Sequence, residues 1–154
     1  MTELGLESEH VEFKKSLSER DRAYRSLAAM LNKHCEGRVY FGVQDDGTVI
    51  GINIGKDTMR TLSREIGDKI QPQVVPEIEV LISDDGLTYI SVTVRGFDRP
   101  YCKDGVFYIR AGEENRQIPI PELRMMFQKY SDMLKISESF RQDLSFGELA
   151  DDLR

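Results

Sequence analysis

The sequence predicts a mixed α+β domain, in which a largely antiparallel sheet built of hairpins carries helices packed on it. Two segments alternate apolar and polar residues on either side of an Asp-Asp-Gly turn, as the strands of hairpins do. Other stretches place apolar residues at the spacing of a buried helix face. With 154 residues, 40% hydrophobic and 31% charged, the chain has the size and balance of one globular domain.

The elements of the N-terminal half follow from periodicity and turn residues. Val11–Lys14 alternates as a short strand. Ser18 and Asp21 are typical of a helix start, and apolar residues recur at helical spacing up to about His34, before Gly37 stops the helix. We then expect a strand at 38–43, a turn at 45–47, a return strand at 48–52 and a second helix at about 56–70.

The C-terminal half predicts more hairpins and a final helix. Strands at 77–82 and 87–94 flank the turn at 84–86, and a shorter pairing joins 100–102 to 106–110. A helix is expected from Pro119 to about Tyr130, with 131–140 continuing it. We therefore predict a domain at 1–140 and, at 141–154, a tail or the beginning of a further segment; in the second case the chain is a fragment of a longer protein.

Composition excludes several classes of protein. Cys35 and Cys102 are too few for a disulfide framework and lack partners at zinc-site spacing. No apolar run approaches membrane-spanning length and no export signal is recognisable, so we expect a cytoplasmic protein without a membrane partner. The net charge of −6 argues against nonspecific coating of nucleic acid, although it leaves room for a local basic surface.

The first predicted strand carries residues that suit a site for a metal ion and a phosphate group. Alternation places Glu12 and Lys14 on one face of the strand, and a bend just before the strand brings Glu7 to the same place. Carboxylates hold Mg²⁺ or Mn²⁺, and an ammonium group stabilises charge on a phosphate oxygen. The alternative is a surface strand with a solvated Glu/Lys ion pair, which contributes little to stability.

An ordered set of motifs resembles the Schlafen-type AlbA domain over roughly residues 4–130. The motifs are Glu7-Ser-x-x-x-Glu-Phe-Lys14, the helix with 28–32, the run Gly37-Arg-Val-Tyr-Phe-Gly-Val-x-Asp-Asp-Gly-x-Val-x-Gly51, the pair Pro100-Tyr101, and Gly105-Val-Phe-Tyr-Ile-Arg-Ala-Gly-x-x-Asn115. The resemblance implies an Alba-like fold and a function in nucleic-acid binding. Some Schlafens cleave transfer and ribosomal RNA with three acids and a divalent metal.

Carried over onto this chain, the resemblance implies that Glu7, Glu12 and Asp45 are the acids, as catalytic residues and as ligands of Mg or Mn, with Lys14 as the catalytic lysine. An aspartate in a hairpin turn is also common without any catalytic role. Two departures stand out: residues 33–37 replace the family's usual Gly-Gly helix exit, and the Schlafen zinc cluster is missing, so no zinc is expected.

Two classes of function follow from the resemblance. One is a metal-dependent endoribonuclease acting on structured RNA such as transfer RNA. The other is a noncatalytic DNA-binding module of a transcriptional regulator; a protein-interaction scaffold has less support. The partner is thus a nucleic acid, RNA in preference to DNA. Schlafen nuclease cores resemble two such lobes facing each other across a groove, so a homodimer of this chain would restore that groove.

Basic residues gather in three places along the chain: Lys14, Lys15, Arg20, Arg22 and Arg25; Arg95, Arg99 and Lys103; and Arg110 with Arg116. We predict that Lys14, Lys15, Arg110 and Arg116 bind nucleic acid, with Arg110 forming a bidentate fork on phosphate. The alternatives are a solubilising role for these charges and a local pairing of Arg110 with Glu113 or Glu114.

Overall fold

The computed structural model describes residues 2–152, with side chains up to residue 141. The elements are, in chain order, β1 (Val11–Lys14), α1 (Arg20–His34), β2 (Glu36–Phe41), α2 (Thr58–Lys69), β3 (Ile70–Gln71), β4 (Glu77–Ile82), β5 (Thr88–Arg95), β6 (Cys102–Lys103), β7 (Val106–Ala111), β8 (Glu114–Gln117) and α3 (Ile120–Asp152). The chain divides into two compact units, Met1–Ile118 and Pro119–Arg154. The first unit contains all of these strands, which confirms the α+β prediction.

The first sheet has the strand order β1-β2-β5-β4. β1 runs parallel to β2, and the other pairs are antiparallel. Alternation gives the sheet two faces. One face carries Val39, Phe41, Ile90 and Val92, which join the main core with residues of α1 and α2. The opposite face carries Phe13, which packs in a smaller apolar cluster.

The second sheet has the strand order β3-β6-β7-β8 and is antiparallel throughout. α1 contacts β7 along much of its length and is tied to this region by Asn32. The Asn32 amide nitrogen donates to the carbonyls of Tyr101 and Tyr108, and its oxygen accepts from the Tyr101 N–H at 2.6 Å. Asn32 is buried, so these bonds satisfy its polar atoms in the interior.

Several predicted boundaries differ from the structure. α1 begins at Arg20 after a short 3-10 turn, and Cys35, in the left-handed conformation with φ 61°, ends it before Gly37. The predicted return strand at 48–52 is wrong: in the described structure Thr48 and Val49 form only isolated bridges, to Glu3 and Val43 respectively. Gly42 has a φ of 94°, and its carbonyl accepts the N–H groups of residues 50 and 51. The chain therefore bends away instead of continuing as a strand.

Two further elements differ from the predictions: one is absent from the predicted set, and the other is longer than predicted. β8 is absent from the predicted elements because its residues, Glu114–Gln117, lack apolar alternation. In the second unit, α3 extends from Ile120 to Asp152 as one continuous helix. The proposed start of a tail at residue 141 lies within this helix, and whether a further segment begins there remains a prediction.

Candidate nucleic-acid interface and acidic site

β1 delivers the predicted Glu12 and Lys14 to the same face of the first sheet. The Lys14 Nζ lies 3.7 Å from Glu12 Oε2. Their parallel neighbours are Val39 and Phe41, both core residues, so this face of β1 turns inward and not toward open solvent. Glu12 is accordingly 7% exposed. The pair is therefore more enclosed than a surface ion pair.

Arg110 reaches Glu12 from the second sheet. Its Nη1 donates to Glu12 Oε1 at 3.2 Å and to Asn115 Oδ1 at 2.9 Å, and its Nη2 donates to the Ser8 carbonyl at 3.1 Å. Asn115 is its cross-strand neighbour and also donates to Ser26 on α1. Arg110 thus joins β1, β7, β8 and α1 around one carboxylate.

The position of Arg110 corrects one prediction. The residue is 1% exposed, and its partners are Glu12, Asn115 and Ser8 instead of Glu113 or Glu114. A guanidinium that is enclosed and already bonded on both terminal nitrogens cannot form a fork on an external phosphate. Arg110 is an interior brace of the site, so we no longer expect it to contact nucleic acid directly.

Glu7 lies in the bend before β1 and has a structural bond of its own. Its Oε1 accepts the Phe13 N–H at 2.8 Å, an N–H on the open side of this edge strand. Burial raises the pKa of the Glu7 carboxyl, and the negative charges of Glu12 and Asp45 raise it further. Glu12 and Asp45 therefore both lie close enough to Glu7 to affect its ionisation.

Asp45 is exposed and lies just beyond the point where β2 is tied to β1, where Lys14 offers its carbonyl to the N–H groups of Gly42 and Val43. The usual turn bond belongs to the next residue, because Asp46 Oδ1 accepts the Thr48 N–H at 2.9 Å and this bond lowers the pKa of Asp46. The hydrogen bonds of this turn therefore give no structural reason for a carboxylate at Asp45.

These acids suit a divalent cation chemically, since Mg²⁺ and Mn²⁺ prefer carboxylate oxygens. Glu12 Oε2 is buried and has no hydrogen-bond partner. However, Glu12 is already balanced by Arg110 and Lys14, and Glu7 is bonded to Phe13. Within residues 2–141, whose side chains are described, no three acid, histidine or cysteine side chains are grouped closely enough to hold an ion. The described arrangement therefore does not fit a ready-made metal site.

Three exposed cations lie on or next to the elements that the Arg110 network joins. Lys15 follows β1, Arg116 is in β8 and Arg22 is in the first turn of α1; all three are exposed. In the described part of the chain none of them forms an ion pair. Arg25, one turn after Arg22, lies over the Tyr108 ring at 5.2 Å from its centre.

The middle basic cluster does not join this surface. Lys103 is buried and bonded to Asp21 and Asp104, Arg95 pairs with Glu77 and Glu36, and Arg99 donates to the Asn32 carbonyl. Arg20 likewise pairs with Glu65 at 2.6 Å. Sequence reasoning treated all these residues alike because charge density carries no information about partners that are distant in the chain.

Sequence reasoning also missed the supporting residues Ser26 and Asn115. Asn115 belongs to the motif quoted above, so a signal for it was present. Ser26 lies within an apolar helix face, where a lone serine at 1% exposure indicates a buried hydrogen-bond partner.

Comparison with known proteins identifies the domain. The family model described as Schlafen, AlbA_2 matches residues 7–119. A solved structure, the DIP2311 protein from Corynebacterium diphtheriae, has a similar fold, with a TM-score of 0.60 and 20% identity over 75% of this chain. The match spans only 23% of that longer protein. No curated protein matches the chain.

In the residues described, no helix is both long enough and apolar enough to cross a bilayer. The matched region, 7–119, contains Glu7, Glu12, Lys14, Asp45 and the network around Arg110. Since the match covers well over half of the sequence, the chain belongs to the Schlafen AlbA_2 family.

Proposed function

We propose that the chain is a nucleic-acid-binding domain whose phosphate contacts are the exposed Lys15 and Arg116, extended by Arg22 on α1 and by Lys14, whose side chain is 16% exposed beside Glu12. The observation that supports this proposal is the Arg110 network, which joins β1, β8 and α1, the elements that carry or immediately precede these cations. Membership of the Schlafen AlbA_2 family supports a role connected with nucleic acid. We favour RNA over DNA, on the resemblance alone.

The test compares binding of structured RNA, such as transfer RNA, with binding of duplex DNA. We expect Arg116→Ala and Lys15→Ala each to weaken binding of all sequences alike, because phosphate contacts position the nucleic acid without reading its bases. Arg60→Ala is a matched control, since Arg60 is an exposed arginine on α2, away from this network. Equal losses for Arg60→Ala and Arg116→Ala would contradict the proposed surface.

A second candidate is a metal-dependent endoribonuclease that uses Glu7, Glu12, Asp45 and Lys14. The observation in its favour is the position of Glu7: burial raises the pKa of its carboxyl, and the nearby negative charges of Glu12 and Asp45 raise it further. Because Glu12 is engaged by Arg110, it would have to leave this partner before it could bind a metal ion. The noncatalytic alternative, a DNA-binding module of a transcriptional regulator, needs no rearrangement of these acids.

Asp45→Asn distinguishes the two candidates without disturbing the fold, since Asp45 is exposed and has no hydrogen-bond partner among the described residues. Its control is Asp84→Asn, at the same position of the other Asp-Asp-Gly turn. For an enzyme, Asp45→Asn should abolish Mn²⁺-dependent cleavage of transfer RNA and retain binding, whereas Asp84→Asn should cleave normally. If wild-type protein leaves RNA intact with Mn²⁺ and binds duplex DNA, the regulatory module is favoured.

Glu12→Gln is a less direct test. It removes the negative charge but also weakens the partnership with buried Arg110, so lost cleavage would combine an electrostatic and a structural effect. Unfolding of Glu12→Gln must therefore be measured beside its activity. Cleavage lost with a stability near that of the wild type would support the catalytic assignment.

A further inference from the structure

Among the described strands, β4 is an edge strand of the first sheet and pairs only with β5. An edge strand carries a row of backbone N–H and C=O groups on its open side, which can pair with another strand. The opposite edge, β1, is partly closed: Glu7 accepts the Phe13 N–H, and the Val11 carbonyl accepts the Ser8 N–H. The two edges of the sheet are therefore not equivalent.

The hairpin geometry shows which residues of β4 face outward. Ser83 donates to the Leu87 carbonyl, so Ser83 faces β5. The preceding pair is Ile82 and Thr88, and the Thr88 carbonyl points away from β4 because it accepts the Ile52 N–H at 2.8 Å. In an antiparallel ladder such orientations alternate along the strand. The backbone groups of Ile78, Val80 and Ile82 therefore point to the open edge.

The side chains at the same positions are apolar. Val80 is 46% exposed and Ile82 is 72% exposed, while Ile78 is half-buried against the core. In the part of the chain that is described, no donor or acceptor meets the outward backbone groups of these three residues. Natural edge strands are usually protected by charges, proline or a covering segment. β4 combines open hydrogen-bonding groups with apolar side chains along one row.

We propose that β4 pairs antiparallel with β4 of a second copy of this chain, about a two-fold axis at Val80. In this register Val80 lies opposite Val80 of the second copy, and Ile78 lies opposite Ile82. Outward backbone groups then meet outward groups, so each of these pairs exchanges both hydrogen bonds. A two-fold interface uses the same patch on both partners, which this strand satisfies with its own sequence.

The charges of β4 are compatible with this register. Glu79, on the opposite face, lies across from Leu81 of the second copy, and Glu77 lies across from Ser83, so no two acids face each other directly. Glu77 is also paired with Arg95 at 2.7 Å. A shift of the axis to Glu79 would place two glutamates directly opposite each other and would pair Ile82 with Pro76, which has no N–H to donate.

The dimer would form one continuous sheet of two four-stranded halves. Because β1 is at the far edge of each half, the two candidate nucleic-acid surfaces would lie roughly 30 Å apart, given about 4.8 Å between strands. The dimer would thus present two separate surfaces, in contrast to the shared groove of two facing lobes. This inference does not rest on the proposed function.

Paired charges at the two-fold axis test the proposal. We expect the full chain to sediment with the mass of two chains, and Val80→Lys and Val80→Glu, each alone, with the mass of one chain, because like charges meet at the axis. An equimolar mixture of the two variants should recover the mass of two chains. Val75→Lys and Val75→Glu are controls, because Val75 is 79% exposed but precedes β4.

A cysteine at the axis gives a second readout that does not depend on dissociation. Opposite residues of a hydrogen-bonded pair have Cα atoms about 5.5 Å apart, within the range that a disulfide spans. With Cys35 and Cys102 replaced by serine, Val80→Cys should form a covalent dimer on oxidation, and Glu79→Cys should not. A wild-type chain of single mass at every concentration, a mixture that stays single, or equal cross-linking at 79 and 80 would each overturn the proposal.

Discussion

At the scale of single residues, Arg110 determines how the candidate site is built. A guanidinium taken out of water requires a carboxylate and further acceptors, and Glu12, Asn115 and the Ser8 carbonyl supply them. Glu12 is thereby held in place and partly neutralised. A residue that reads as a surface cation in the sequence is thus a structural support for the acids beside it.

Arg110→Met should destabilise the chain by about 3–5 kcal/mol, since it leaves Glu12 buried without its closest counter-charge. Urea unfolding measures this loss. The double variant Arg110→Met/Glu12→Gln should recover part of it, because the uncompensated charge is then gone. Arg116→Ala, at an exposed position of β8, should change stability by no more than about 0.5 kcal/mol. Equal stabilities of the two arginine variants would contradict the role of Arg110.

Asp21 predicts a pH dependence of stability. Lys103 and Lys69 donate to its carboxylate and lower its pKa to about 2, from an ordinary value of 3.8. A carboxyl whose folded-state pKa is depressed contributes stability above its unfolded pKa, and this contribution disappears as pH falls through the folded value. Because Asp21 is half exposed, the contribution at neutral pH should be about 1 kcal/mol.

Asp21→Asn should therefore be less stable than wild type at neutral pH, and the difference should shrink between about pH 4 and pH 2. Thermal unfolding of both proteins over this range measures the difference. Asp68→Asn, an exposed acid on α2, is the control and should change stability little. A difference that stays constant down to pH 2 would contradict the assignment to the Asp21 carboxyl.

At the scale of elements, the same Asp-Asp-Gly turn serves two different structures. At 84–86 it closes a regular hairpin between β4 and β5. At 45–47 it is followed by irregular chain, in which Thr48 and Val49 form isolated bridges to Glu3 and Val43. Identical local signals therefore do not determine whether a second strand follows. The glycine conformations at residues 42 and 51 redirect the chain.

Gly47→Ala should be more destabilising than Gly86→Ala. Both glycines are in the left-handed region, at φ 89° and 81°, so alanine at either is strained by about 1 kcal/mol. At Gly47 an added Cβ would also collide with the Gly5 carbonyl, whereas at Gly86 nothing lies within 4 Å. Urea unfolding of the two variants gives the comparison. Equal losses would show that the approach of residue 5 to the turn carries no weight.

At the scale of the whole molecule, binding of nucleic acid has to overcome a net charge of −6. Several cations outside the proposed surface are paired with acids, as Lys103, Arg95 and Arg20 are. If the proposed surface is the binding site, attraction to phosphate comes from the few cations assigned to it. This arrangement predicts a modest dependence of affinity on salt.

If Lys14, Lys15 and Arg116 are the phosphate contacts, log affinity against log salt should have a slope of about −2 to −3. Arg116→Ala should make that slope shallower by about one unit. Fluorescence anisotropy with labelled transfer RNA over a range of salt concentrations measures both slopes. A wild-type slope near zero would contradict electrostatic binding at this surface.

Local patterns were sufficient for much of the fold. Alternation and turn residues predicted β1, β4 and β5, and helical periodicity predicted α1 and α2 within a few residues. β8 escaped prediction because its four polar residues are held by pairing with β7 and not by a buried face. The resemblance indicated Glu7, Glu12, Lys14 and Asp45 as site residues. Glu12 and Lys14 are in β1, Glu7 lies just before it, and Asp45 follows the segment that is hydrogen-bonded to the Lys14 carbonyl.

By itself the sequence determined the α+β class, most of the elements and the family, because these follow from periodicity and residue types at short spacing. Only the tertiary structure decided which charges are free. Arg110 and Glu12 are 98 positions apart, and their pairing depends on how the second sheet packs beside β1. Burial makes such a pair necessary, since an isolated charge in the interior is costly. The open edge of β4 was likewise decided by strand order, which alternation along one strand does not specify.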